Sequence, residues 1–193
     1  MPMNISKRSV IIAVGGLIAV GAVVIGALGW QRSEGRNLEM VSASLAAAHP
    51  QIAHWGPSQL ASAPGKTILI DVREADEFAV SHLRGSARLS PAASAAEALT
   101  TIPQDISGAA VVFYCSVGAR SSAMAEKLRP ALMQRGASAV VNLRGGIFAW
   151  HNGRQPLVTS GNKATEWVHP YTAVWGKLVN RSDLTRSIPE AAR

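Results

Sequence analysis

Cys115 ends the β-branched and aromatic run Val111-Val-Phe-Tyr114 and is the chain's only cysteine. After it come Ser116, Val117, Gly118 and Ala119, a loop of mostly small residues closed by Arg120. The following stretch, Ala123-Met-Ala-Glu-Lys-Leu-Arg129, is made of strong helix formers. Strand, short loop and helix start together gather backbone N–H groups and the positive end of a helix dipole around one point. With Cys115 at that point and Arg120 beyond it, an anionic, nucleophilic sulfur is stabilised. A lone cysteine makes no internal disulfide and leaves no second thiol for a resolving-cysteine redox cycle. No Cys/His pair stands at zinc-ligand spacing and the five histidines are dispersed, so neither a metal nor a cofactor is expected.

At 193 residues the chain suits one domain with additions. Its net charge of +7 raises nucleic acid as a partner. The basic residues, however, stand singly or in pairs, with no run and no aromatic-interleaved motif, so no nucleic-acid partner is expected.

Residues 1–9 form a polar tail carrying Lys7 and Arg8, and Val10 to Trp30 then runs without a charge. A helix over residues 10–30 is long enough to cross a bilayer core of roughly 30 Å. A cleaved signal has an apolar core of only about 7–15 residues, so a retained single-pass anchor is favoured, with a cleavage site near Val41–Ala48 as the alternative. Lys7, Arg8 and the free amino terminus on one side, against Arg32 and Arg36 on the other, give a slight lean to an extracytoplasmic domain. Gly15, Ala19, Ala22, Gly26 and Gly29 put small side chains on one helix face, where a second copy of the helix has room to form a homodimer.

Residues 31–50 read as a linker with a short helix. From there strands and short helices alternate. A first edge strand at Ile52–Trp55 precedes a helical turn at 57–62. The continuous apolar run Thr67–Val72 has the composition of a strand buried on both faces. A helix over Glu74–Val80 and a third strand after the loop at Gly85–Leu89 follow. Pro91 opens a helix to Leu99. Val111–Tyr114 is the fourth strand, and residues 121–135 form the longest helix, stopped by Gly136. Ala139–Leu143 is the fifth strand, and a last helix runs from Gly145-Gly146 to Gly153. This alternation predicts an α/β fold with a doubly wound, five-stranded parallel sheet, in which ligands sit at the carboxyl ends of strands. Cys115 is at such an end.

Three blocks carry a family resemblance. Asp71-Val-Arg73-Glu-Ala-Asp-Glu77-Phe-Ala-Val-Ser-His82-Leu-Arg-Gly85, Tyr114-Cys115-Ser-Val-Gly118-Ala-Arg120-Ser and Leu143-Arg-Gly145-Gly146-Ile-Phe-Ala-Trp150 resemble the signatures of rhodanese-type sulfurtransferases. The match spans residues 51–158. It implies a single rhodanese-like domain in which Cys115 takes sulfane sulfur as a persulfide from a small anionic donor such as thiosulfate. That sulfur then passes to a thiol or cyanide acceptor. By the same resemblance, the backbone N–H groups of Ser116, Val117, Gly118, Ala119 and Arg120 hold the persulfide anion, and Arg120 orients the donor. Cysteine-dependent phosphatases and related arsenate reductases enclose one more residue between Cys and Arg, so the shorter loop here favours sulfur. A non-catalytic binding module on the same fold, recruiting a partner at the membrane, is the alternative.

Asp71, Arg73, Glu77 and His82 have structural roles open to them: Asp71 ends a strand, Arg73 and Glu77 can pair, and His82 can tie down a loop. Trp150 suits packing of the last helix, and Arg84, Arg88 and Arg144 suit the surface. Ser81 replaces the family's glycine, which would strain a backbone held at positive φ by roughly 1 kcal/mol. Residues 159–193 are an extension that the resemblance does not cover. In it Trp167, Tyr171, Val174, Trp175 and Leu178 fall near helical spacing, with Pro170 suited to the first turn of a helix starting near Tyr171. Packing onto the domain is preferred for it over lying at a membrane interface, and the last dozen residues are expected to be disordered.

Overall fold

The structure, a computed structural model, describes residues 37–189. The expected membrane segment at 10–30, and the homodimer through it, lie outside the described residues. Among the described residues no helix is long and apolar enough to cross a membrane.

Residues 37–48 form helix α1. The chain continues through β1 (Ala53–Trp55), α2 (Pro57–Ala61), β2 (Thr67–Asp71), α3 (Ala75–Val80), β3 (Ala87–Arg88) and α4 (Ala95–Thr101). Next come β4 (Ala110–Tyr114), α5 (Ala119–Gln134), β5 (Ala139–Leu143) and α6 (Gly146–Asn152). The hairpin of β6 (Leu157–Val158) and β7 (Ala164–Thr165) and the short α7 (Ala173–Gly176) complete it. The first five strands form one sheet in the order β1-β5-β4-β2-β3, and every neighbouring pair is parallel.

The alternation along β4 shows how the sheet divides the core. Val111 and Phe113 face one cluster with Met124, Leu128 and Leu132 of α5. Val112 and Tyr114 face the other, with Leu38 of α1 and Ile147, Phe148 and Trp150 of α6. All five residues of β4 are buried, which is why the segment reads as an unbroken apolar run. Helices thus cover both faces, as the doubly wound expectation requires.

Several expectations are corrected. The short helix expected in the linker is α1, and it packs on the domain rather than merely leading to it, with Leu38 and Ser42 buried. His49, just past α1, pairs with Glu126 of α5 at 2.8 Å, and Glu39 pairs with Arg144. Helix α4 starts at Ala95 rather than Pro91. Ser94 supplies a capping box with Glu97, its Oγ accepting from the Glu97 N–H at 3.3 Å while its own N–H donates to Glu97 Oε2 at 2.8 Å. Ser81 has φ −168°, ordinary extended backbone, so the expected strain does not arise.

The extension packs on the domain, with Val168 and Val179 in the second core cluster. The helical spacing does not produce the expected helix: Tyr171 takes φ +62°, and only Ala173–Gly176 is helical, capped by Thr172 Oγ1. Within the expected disordered tail, Ser182–Leu184 form a 3-10 turn and Thr185 bridges Val168.

Beside the end of β2 lies an ion pair excluded from water. Arg73 donates to both Asp71 oxygens, Nε at 2.9 Å and Nη2 at 2.6 Å, and Nη2 also donates to the Ser81 carbonyl at 2.7 Å. Both side chains are fully buried. Burial alone would favour neutral Arg73, but the charge and hydrogen bonds of Asp71 outweigh it and keep the guanidinium charged. Removing one partner of such a pair strands the other without water. Asp71→Asn is therefore expected to lower unfolding free energy by about 3–5 kcal/mol in urea titrations, and a loss under about 1 kcal/mol would refute this role.

Candidate active site

Cys115 sits where β4 ends, and Gly118, at φ +106° and ψ −7°, turns the chain into α5. That left-handed conformation suits glycine, and a Cβ there would also approach Asn142 Nδ2 to 3.1 Å. The Gly118 N–H donates to Cys115 Sγ at 3.2 Å. The first-turn N–H groups of α5, which have no carbonyl one turn before them, face the same end of the strand.

The loop is clamped from behind by α6. The N–H groups of Ile147 and Phe148 donate to the carbonyls of Cys115 at 2.8 Å and Ser116 at 3.1 Å. The approach is so close that a Cβ on Gly146 would overlap both carbonyl oxygens. Gly145-Gly146, noted in the sequence only as a helix lead-in, thus permits the contact that holds the Cys115 loop.

The structure brings Cys115, Ser116, Val117, Gly118, Ala119 and Arg120 into one turn but separates their side-chain roles. Val117 points into the second core cluster, so only its backbone is available to a ligand. Ala119 is exposed. Ser116 Oγ donates to Glu77 Oε1 at 2.8 Å and accepts from Arg120 Nη2 at 2.9 Å. Arg120 closes a two-point pair on Glu77, Nη1 to Oε2 at 2.8 Å and Nη2 to Oε1 at 3.0 Å. Its face lies against the Tyr171 ring, 4.6 Å from the centroid.

Glu77 is the site residue that sequence reasoning placed elsewhere. Its expected partner, Arg73, reaches only its backbone carbonyl, at 3.3 Å, while the carboxylate crosses to Arg120. Burial pushes the Glu77 carboxyl up, but the Arg120 hydrogen bonds and charge and the Ser116 hydroxyl together hold it below the usual value. The charge of Arg120 is correspondingly offset, so the pocket is less positive than its loop residues alone imply.

Asn142 was also missed. It is a buried amide in the apolar run of β5, accepting from Ser121 Oγ at 2.6 Å and donating Nδ2 to His54 Nδ1 at 3.2 Å. A lone polar residue in a strand buried on both faces was the available signal. His82 ties a loop: Nδ1 bonds the Phe78 carbonyl at 3.0 Å and its ring stacks on Phe78.

The folded carboxyl of Glu77 is held below its ordinary value of about 4.3. Its contribution to stability is therefore full above that value and is lost as pH falls through the lower folded one. The stability gap between the protein and Glu77→Gln should be constant above about pH 5 and shrink below about pH 4, followed by urea denaturation. A gap independent of pH would refute the charged pair.

The rhodanese-like domain profile matches residues 57–153. The chain is 41% identical over 93 residues to the probable adenylyltransferase/sulfurtransferase MoeZ of Mycobacterium tuberculosis, covering 47% of this chain and 22% of that protein. It is 36% identical over 91 residues to a sulfurtransferase of Allochromatium vinosum, covering 47% of this chain and 78% of that one. The crystal structure of a rhodanese-related protein from Thermoplasma volcanium aligns at 24% identity and a TM-score of 0.45, over 55% of this chain and 97% of that one. The chain thus spans about a fifth of the length of the first relative and most of the second.

Proposed function

The chain belongs to the rhodanese-like domain family, and from that premise we propose that it is a sulfurtransferase working through a persulfide on Cys115. The observation that carries the proposal is the Gly118 N–H donating to Cys115 Sγ at 3.2 Å, in a loop at the start of α5 that also carries Arg120. A donor held there meets a sulfur nucleophile and a preorganised set of N–H donors in one place.

The Cys115 thiolate attacks the outer sulfur of thiosulfate. A Cys115 S–S bond forms, the S–S bond of thiosulfate breaks, and sulfite leaves with the electron pair. Cyanide, or a thiolate, then attacks the outer sulfur of the persulfide, giving thiocyanate or a new persulfide and restoring the Cys115 thiolate. Both steps are displacements at sulfur, so neither requires an external oxidant. The loop N–H groups stabilise the anion in each resting form, and Arg120 offers the donor the N–H bonds that Glu77 and Ser116 leave over.

The uncharged run at 10–30 supports placing this chemistry at a membrane, and the charges flanking it lean slightly to an extracytoplasmic domain. The full-length chain should stay with membranes through an alkaline carbonate wash, and release into the supernatant would remove this part of the proposal.

Treatment of the reduced protein with thiosulfate should add the mass of one sulfur atom to the peptide bearing Cys115. Cys115→Ala should lose sulfite release with cyanide as acceptor by about a thousandfold or more. An unmodified Cys115, with activity indifferent to its replacement, would point instead to a non-catalytic binding module.

A further inference from the structure

The matched family segment ends at Gly153, yet the Cys115 site is finished by residues beyond it. Cys115 is 1% exposed and Ser116 2%, so a reactant reaches the sulfur only through what surrounds the loop. On the Arg120 side that surrounding is the turn at residues 169–172. Tyr171 lays its ring on the Arg120 guanidinium, and His169, nearly buried, lies close enough to feel the charges of Glu77, Asp76, Arg73 and Arg120.

The turn is held from both sides. Before it, Val168 is fully buried, its N–H donating to the Leu184 carbonyl at 3.0 Å and its carbonyl accepting from the Arg186 N–H at 3.1 Å. After it, Gly176 packs so closely on Pro170 that a Cβ would stand 2.8 Å from the proline Cβ, and Val179 is buried in the core. Within it, the Tyr171 N–H donates to His169 Nδ1 at 3.0 Å. Tyr171 itself takes φ +62°, a conformation that costs a bulky residue and persists only where its surroundings enforce it. Tyr171 is 45% exposed, so packing of the core does not explain where its ring is held.

We propose that Tyr171 is a specificity-determining residue of the Cys115 site: its ring, fixed over Arg120, admits small sulfur donors and acceptors and shuts out bulky thiols. The proposal rests on the sulfurtransferase assignment for its substrates, while the placement of the ring over Arg120 rests on the geometry alone. The ring covers one face of Arg120 while Glu77 and Ser116 take three of its in-plane bonds, so a bound anion approaches at the remaining edge. A small donor fits that edge; a peptide-sized thiol meets the ring.

The test uses the full-length chain and its Tyr171→Ala and Tyr171→Phe variants, with two independent readouts. The first is the rate of Cys115 labelling by iodoacetamide and by a polyethylene glycol maleimide. Tyr171→Ala should raise the bulky reagent's rate by about tenfold relative to the small one, and Tyr171→Phe should keep the original ratio. The second is sulfur transfer, where Tyr171→Ala should raise kcat/KM for glutathione relative to cyanide by a similar factor. Equal acceleration of both reagents, no change, or a phenylalanine variant behaving like alanine would overturn the proposal. A shifted labelling ratio in a protein that forms no persulfide would leave the restriction standing and remove the sulfurtransferase assignment.

Discussion

The Glu77 carboxylate is the contact on which the site depends. It comes from α3, yet its oxygens bind Ser116 in the loop and Arg120 in the first turn of α5. One buried anion therefore joins the end of β4, the loop after it and the helix that follows. A buried carboxylate is stable only when paired and hydrogen-bonded, and the same bonds that meet this need fix where Arg120 points. The loop is held a second time from its other side, by the N–H groups of α6 on the carbonyls of Cys115 and Ser116. Between these two restraints the backbone around Cys115 has little freedom, and a site built to stabilise an anion needs its donors in place beforehand.

The parts flanking the family core are built into the molecule. Leu45 of α1 lies 3.6 Å from where a Gly118 side chain would begin, and Leu38 packs beside Gly145, so the helix braces the two glycine turns that shape the loop. The segment after α6 closes onto the Arg120 side. An α/β core that exposes the carboxyl ends of its strands leaves an opening there. Here Tyr171, from chain outside the core, lies over Arg120 at that end, and on the proposal above ligand size becomes a property of the extension.

Much of this was legible in the residues, in proportion to how local each signal was. The unbroken apolar run of β4 and the small residues after Cys115 announce strand and loop because burial on both faces and a tight turn each restrict residue type directly. The start of α4 was legible too, since Ser94 and Glu97 have capping-box spacing, but Pro91 drew the boundary four residues early. Tyr171 defeated the periodicity: its spacing with Val174, Trp175 and Leu178 suits a helix, whereas the contact with Arg120 and the bond to His169 hold it in a left-handed turn. Tertiary contacts outweighed a pattern worth a few tenths of a kcal/mol per residue.

By itself the sequence determined the order of strands and helices, the parallel sheet, and the place of Cys115 and its loop at the carboxyl end of a strand, because these follow from burial pattern and chain geometry over a few consecutive residues. Only the tertiary structure decided that Glu77 pairs with Arg120 rather than Arg73, that Asn142 bonds Ser121 and His54, and that Tyr171 stands over the guanidinium. Those partners are separated by tens of residues, and a carboxylate within reach of two cations chooses by distance and desolvation, which exist only once the chain has packed.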